Sequence, residues 1–321
     1  MPLRKEKPMS RHIRNCLFVM LSLFLLSSTS CASSLAGKAK SAIGIRDQLG
    51  RLVKLDKIPQ RIISLAPSNT EILFASGLGD RVVAITDYCN YPREAKEKPS
   101  VGGFSTPNIE KIVALSPDLV LATSIHQKSV IPNLEQKGIT TFALDPKTLD
   151  EVLEAISLVG KITGKDREAS TLTAEIGNRI KTVTDKIGSL SQRQKPKVLY
   201  ITWHAPLMTA GAGTLQDELI QKAGGINIAQ NLTRYAGISL EAVIEANPEV
   251  MIAGVGMGTG ADAPLQFAAT EPRLRNIAAR QNSRVYAIDV DVVGRAGPRM
   301  ADALEQFARF IHPELFKEAK Q

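Results

Sequence analysis

The stretch "DREASTLTAEIGNRIKTVTDKIGSLSQRQ", residues 166–194, interrupts an otherwise regular chain. Within it Ala169, Leu172, Ile176, Ile180, Val183, Ile187 and Leu190 recur every three or four positions. That spacing makes one stripe of a long helix apolar and leaves the rest polar. At 1.5 Å per residue the segment predicts a rod of roughly 40 Å, about the width of a domain. A coiled-coil seam has the same spacing, but isolated seams this short are marginal. We read residues 165–193 as a spine helix lying across a globular protein.

On either side the chain alternates short strands with short helices. Residues 61–164 run strand (Ile62–Leu65), turn at Pro67, helix capped by Ser68 or Asn69, strand (Val82–Ile85), helix, strand "DLVLA", helix, strand "GITTFAL" and the amphipathic "TLDEVLEAISLVGKITG". Residues 194–321 resume with the strand "KVLYITW", the helices "LQDELIQKAGG" and "SLEAVIEAN", the strands "EVMIAG" and "SRVYAID", and a final helix from Met300. Such alternation argues for α/β lobes built on parallel sheets covered on both faces. The predicted fold is two α/β lobes joined by a single long rigid helix. Residues 31–60 form a polar leader and an N-terminal hairpin around Gly50.

The first 30 residues carry Arg4, Lys5, Lys7, Arg11 and Arg14, then the apolar run "CLFVMLSLFLL", then "SSTSCASS". A basic head, an apolar segment too short to span a bilayer and a small-residue tail describe an export signal. Cys31 stands where a bacterial lipoprotein is acylated, which would tether the domain to the outer face of the cell membrane; cleavage after Ala36, releasing a periplasmic protein, is the alternative. The whole chain has 40 Lys+Arg against 32 Asp+Glu, a net of +8. Without residues 1–30, which hold five basic groups and Glu6, the balance is 35 against 31, a net of +4. Half the basicity belongs to the signal, so nucleic acid is not an expected partner. Apart from Cys31, only Cys89 remains after processing, so no intramolecular disulfide framework is expected.

The two halves repeat one phrase. "NIEKIVALSPDLVLA" (residues 108–122) and "SLEAVIEANPEVMIA" (residues 239–253) match in type, position by position: cap, aliphatic, glutamate, helix, proline, acid, strand. Asn108 is the expected N-cap of the first helix, with Ile109, Ile112 and Val113 on its buried face. Glu110 and Glu241 then sit outward in equivalent first turns. Favourable interaction with the helix dipole explains either glutamate alone. Their repetition on two lobes also suits docking onto a two-fold partner with basic pockets.

With these segments in view, "RIISLAPSNTEILFASGLGDRVVAITDYCNYP", "VGGFSTPNIEKIVALSPDLVLA", "AGGINIA" and "ISLEAVIEANPEVMIAG" resemble the extracytoplasmic binding proteins of cobalamin and iron-siderophore ABC importers, particularly the cobalamin binders. The resemblance runs in order from Arg61 to the C-terminus. It implies the helical-backbone binding-protein fold, a ligand gripped between lobes, and delivery to an ABC permease dimer with its ATPase subunits. It also implies that Glu110 and Glu241 meet permease arginines. The ligand site it implies comprises Tyr88, Phe104, Trp203, His204, Tyr235 and Arg295. Flat rings suit the broad apolar faces of a corrin, while a few donors meet its amide-bearing rim. Imidazole is a competent cobalt ligand, which gives His204 a further option. The corrinoid would be cargo; no resident cofactor or metal is expected.

A ferric-siderophore or haem binder of the same fold is the alternative. An anionic chelate calls for several basic side chains, and haem for an axial Tyr or His, which Tyr88, His126 or His204 could supply. An enzyme is not expected: no G-x-S-x-G elbow, P-loop or H-E-x-x-H stands out. The glycine-rich "GAGTLQDE" and "GVGMGTG" lack the dinucleotide fingerprint and read as cleft loops.

Overall fold

The computed structural model describes residues 43–256 and 260–316. The export signal, Cys31, Ala36 and the middle of "GVGMGTG" lie outside the described residues. From Ile43 onward the chain clusters into one compact unit.

Strands β1 (Ile43–Arg46) and β2 (Leu52–Leu55) pair antiparallel as the expected hairpin, turning through Gly50 at φ 80°. The first lobe continues with β3 (Ile62–Ser64), α1 (Pro67–Ala75), β4 (Val82–Ala84), α2 (Ile109–Ala114), β5 (Leu119–Ala122), α3 (Val130–Gln136), β6 (Thr141–Ala143) and α4 (Leu149–Thr163). Its sheet has the order β4-β3-β5-β6 with every pair parallel. Helix α1 begins two or three residues earlier than expected. Its N-cap is Ala66 and Pro67 occupies the first turn, where a fixed φ costs nothing. Asn69, freed from capping, is buried and donates from Nδ2 to the Ala122 carbonyl at 3.0 Å, tying the helix to β5.

Helix α2 is capped as expected, with Asn108 Oδ1 accepting from the Lys111 amide at 2.8 Å. Its buried face is narrower than predicted. Only Ile112 is fully buried, Ile109 is half-buried, and Val113 is 39% exposed. A helix of six residues has room for one inward row, and Val113 falls outside it.

The spine is α5 (Asp166–Ile187), shorter than the predicted 165–193. It ends at Gly188, and residues Gln192–Gln194 form a separate 3-10 turn. Twenty-two residues give a rod of roughly 33 Å. Its apolar stripe is no coiled-coil seam: α5 packs against α4 on one side and against the C-terminal helix on the other. Ala169, Ile176, Val183 and Ile187 are buried in a core cluster that runs without a break from Leu73 and Leu121 of the first lobe to Val250 and Phe307 of the second.

The second lobe contains β7 (Lys197–His204), β8 (Leu207–Ala210), α6 (Leu215–Lys222), β9 (Ile226–Asn227), β10 (Tyr235–Gly237), α7 (Leu240–Ala246), β11 (Val250–Val255), α8 (Ala263–Thr270), α9 (Ala278–Gln281), β12 (Val285–Asp289), α10 (Val290–Val293) and α11 (Met300–Ile311). Strands β7, β11 and β12 are parallel, as expected. The unforeseen β8 and β10 add an antiparallel edge, in the order β10-β8-β7-β11-β12, and β9 also pairs with β7. Arg179 locks α11 to the spine, donating to Glu305 at 2.8 and 2.9 Å and to Asp302 at 2.5 Å. Among the described residues no helix is long and apolar enough to cross a membrane.

Candidate functional site

All four strands of the first sheet, and β11 and β12 of the second, end at the same place. Ala66 and Pro67 after β3, Tyr88 after β4, Ser124 after β5, Asp145 after β6, Gly256 after β11 and Asp291 after β12 line one cavity of about 890 Å³. Ligands of open α/β sheets bind beyond the carboxyl ends of the strands, because there the loops converge and backbone groups are unpaired. The volume lies near the top of the roughly 300–1,000 Å³ usual for small-molecule sites.

Of the six residues the sequence singled out for ligand, the structure brings four together. Tyr88, Phe104, Tyr235 and Arg295 line the cavity. Tyr88 is 63% exposed and Tyr235 54%, far more open than packed aromatics. Tyr235 is held by its hydroxyl, which donates to Gln216 Oε1 at 2.9 Å; Gln216, itself buried, donates to the Val293 carbonyl. The ring therefore stands on a fixed polar foot with its face open.

Phe104 follows a tight turn in which Gly102 takes φ 98°, a conformation that side-chain-bearing residues avoid. Its carbonyl accepts from His126 Nε2 at 2.7 Å, and its ring meets the imidazole edge-on at 5.5 Å. His126 Nδ1 accepts from the Thr123 amide at 3.0 Å, which fixes the tautomer. Burial pushes this imidazole below its ordinary pKa, against the pull of the Phe104 carbonyl that accepts from Nε2. With both nitrogens engaged and the ring fully buried, His126 has no lone pair for an axial bond, which removes one haem ligand that the sequence allowed.

Trp203 and His204 do not line the cavity. They sit at the tip of the β7–β8 hairpin, where Trp203 Nε1 donates to the Ala205 carbonyl at 3.1 Å. The His204 ring packs beside Trp203 at 4.9 Å and Phe267 at 6.3 Å, with Nδ1 buried and unbonded.

Arg295 reaches the cavity wall with its Nη1 and Nη2 donors already committed. Nη1 donates to Asn90 Oδ1 at 2.5 Å and Glu71 Oε1 at 3.4 Å, while Nη2 pairs with Asp291 at 2.7 Å and donates to the Tyr88 carbonyl at 3.3 Å. Arg299 donates to both oxygens of Glu71, at 2.9 and 2.6 Å, and its guanidinium lies 4.3 Å above the Tyr91 ring. Glu71 is almost fully buried. Burial disfavours the charge on Arg299, and the bonds from Glu71 more than restore it, so its pKa sits above the ordinary value. Sequence reasoning missed Glu71. The available signal was a carboxylate inside the apolar run "EILF".

Among the described lining residues three carboxylates, Asp87, Asp145 and Asp291, face three cations, Lys147, Arg234 and Arg295. Lys147 pairs with Asp145 at 2.8 Å, and Ser124 donates to the same carboxylate at 2.8 Å. The wall thus mixes polar and aromatic side chains and, among the described lining residues, carries no net charge of either sign.

Glu110 and Glu241 both lie exposed in the first turns of α2 and α7, away from the lining residues. Ser239 caps α7 by accepting from the Ala242 amide at 3.1 Å, as Asn108 caps α2. Neither glutamate has an ion-pair partner within 4 Å among the described residues.

Twin α/β lobes on a helical spine, with one cavity where their strands end, define a substrate-binding protein of the ABC-importer type. The sequence profile described as "Periplasmic binding protein" matches residues 62–292, and the chain belongs to that family. It is 32% identical over 286 residues to the uncharacterized ABC transporter substrate-binding lipoprotein YvrC of Bacillus subtilis (strain 168), covering 86% of this chain and 87% of that one. Among solved structures, the periplasmic vitamin B12-binding protein BtuF of Vibrio cholerae superposes with a TM-score of 0.68 at 29% identity, covering 81% of this chain and 99% of its own. The periplasmic haem-binding protein RhuT from Roseiflexus sp. RS-1 gives a TM-score of 0.71 at 26% identity, with 80% and 99% covered.

Proposed function

We propose that this chain captures cobalamin or a related corrinoid outside the cell membrane and hands it to an ABC permease dimer. The observation that carries the reading is the charge-neutral wall of the cavity with its aromatic side chains. Tyr88 and Tyr235 offer open ring faces to a broad apolar disc, and paired polar groups such as Asp145 and Asn90 offer bonds to an amide-bearing rim. A trianionic chelate or a dicarboxylate haem would gain from an excess of lining cations, and Arg234 alone of the three has no ion-pair partner among the described residues. The likeness to the vitamin B12-binding BtuF is in keeping with this choice, and the equal likeness to the haem-binding RhuT keeps haem as the alternative.

Docking through Glu110 and Glu241 belongs to this reading, supported by their matched exposure in equivalent helices. So does a lipid at Cys31, supported by the sequence before it and by the lipoprotein name of the Bacillus relative.

Titration of the soluble part with cobalamin, cobinamide, haem and a ferric chelate tests the ligand class. Tight binding of a corrinoid, with the others weak, is the expected result. Preference for haem or the chelate would overturn it.

A further inference from the structure

Two exposed aliphatic side chains occupy matched places in the two lobes. Val113 in α2 is 39% exposed and Ile244 in α7 is 44% exposed. Each follows its lobe's first-turn glutamate by three positions, and in each helix the residue just before it, Ile112 or Val243, is fully buried. Spacing of three puts Glu110 with Val113, and Glu241 with Ile244, on one helix face. The buried residue, two positions from the glutamate, points the other way.

A single exposed aliphatic is ordinary and needs no explanation. The other large exposed apolar groups among the described residues, however, mostly have visible work. Tyr88, Ile125 and Tyr235 line the cavity, and Tyr91 lies beneath Arg299, leaving Leu52 on the hairpin and this pair. Recurrence of one carboxylate-plus-aliphatic unit on two equivalent helices fits a partner that itself has two equivalent halves.

We propose that Val113 and Ile244 are apolar anchors of the permease-docking face, each entering an apolar depression beside a basic side chain on one permease subunit. The inference rests on the docking reading above and adds the residues that give it grip. Carboxylates on a rim steer a basic partner and fix its orientation, while a buried apolar contact slows its departure.

The test titrates the full processed protein onto its permease–ATPase complex in lipid nanodiscs, with Val113→Ser, Ile244→Ser, the double variant, and Glu110→Gln/Glu241→Gln. Each serine variant should weaken docking by roughly tenfold, Ile244→Ser more than Val113→Ser, from the apolar area no longer buried. That loss should persist at high salt, whereas the loss in the glutamine pair should shrink. Corrinoid affinity and melting temperature should stay at wild-type values throughout. Wild-type docking by the double serine variant overturns the inference. If the glutamine pair also docks normally, the docking reading falls with it.

Discussion

Arg299 of the second lobe holds both carboxylate oxygens of Glu71 of the first, at 2.6 and 2.9 Å, with neither side chain more than 13% exposed. Arg295 adds a longer bond to the same carboxylate, and Asn90 bridges to Asp291 at 2.9 Å. The lobes are therefore pinned at the edge of the cavity as well as through the spine. Removing one partner of such a pair leaves a buried charge uncompensated, which typically costs about 3–5 kcal/mol. Arg299→Ala should lose that much in urea unfolding. Lys181→Ala, which breaks an exposed pair with Asp185, should leave the unfolding midpoint where it was. A small loss in Arg299→Ala would show that the pair is dispensable to the fold.

His126 makes the Phe104 wall sensitive to acid. In the unfolded chain an imidazole titrates near 6.5, and burial holds the folded value lower. Between the two values the unfolded chain binds a proton that the folded chain refuses. Stability is thus complete above pH 6.5 and falls as pH drops through that window. Protonation also takes away the lone pair that receives the Thr123 amide. Glu218, whose carboxyl is raised by burial, acts with the opposite sign, losing stability as pH rises above 4.5. Comparing the wild type with His126→Gln cancels Glu218. The variant should show a flatter stability curve just below pH 6.5 and less acid weakening of ligand binding. Parallel curves would show that His126 does not titrate in that range.

Ligand contacts should divide along the cavity wall. Tyr88→Ala and Phe104→Ala each remove a lining ring, with an expected loss of roughly 10- to 100-fold in corrinoid affinity by calorimetry. Trp203→Phe, at the hairpin tip, should change affinity by less than about threefold. A large loss from Trp203→Phe would mean that the hairpin folds over the ligand on binding.

The spine and the twin glutamates were legible because they are periodic or repeated, and periodicity survives in a single sequence. What was lost is short or distant. Strands β8, β9 and β10 span only four, two and three residues, too few for alternation to rise above chance. Val113 fits the helical stripe of α2 and yet is exposed, because so short a helix buries only the row that holds Ile112. Glu71 and Arg299 are 228 residues apart, and no local pattern pairs a carboxylate in one lobe with a guanidinium in the other. Arg295 came into view only through the family likeness, and its commitment to Asn90, Asp291 and Glu71 required coordinates.

Closure around the ligand should be slight. The apolar core passes from lobe to lobe through Ile176 and Val183 of α5, and Arg179 clamps that helix to α11. The Leu149 amide, at the start of α4, donates to Glu218 of α6 at 2.8 Å, a further tie between lobes. A wide hinge motion would have to break the continuous packing or the Glu71 pair, and closely packed interiors switch between arrangements instead of bending freely. A compact chain of this length has a radius of gyration of roughly 19 Å. Small-angle scattering with and without cobinamide should find it changed by less than about 1 Å, the scale expected of small-amplitude closure. In Arg299→Ala the ligand-free value should rise toward a more open form while the liganded value stays put. A collapse of several ångströms in the wild type would show that the spine is a hinge and not a strut.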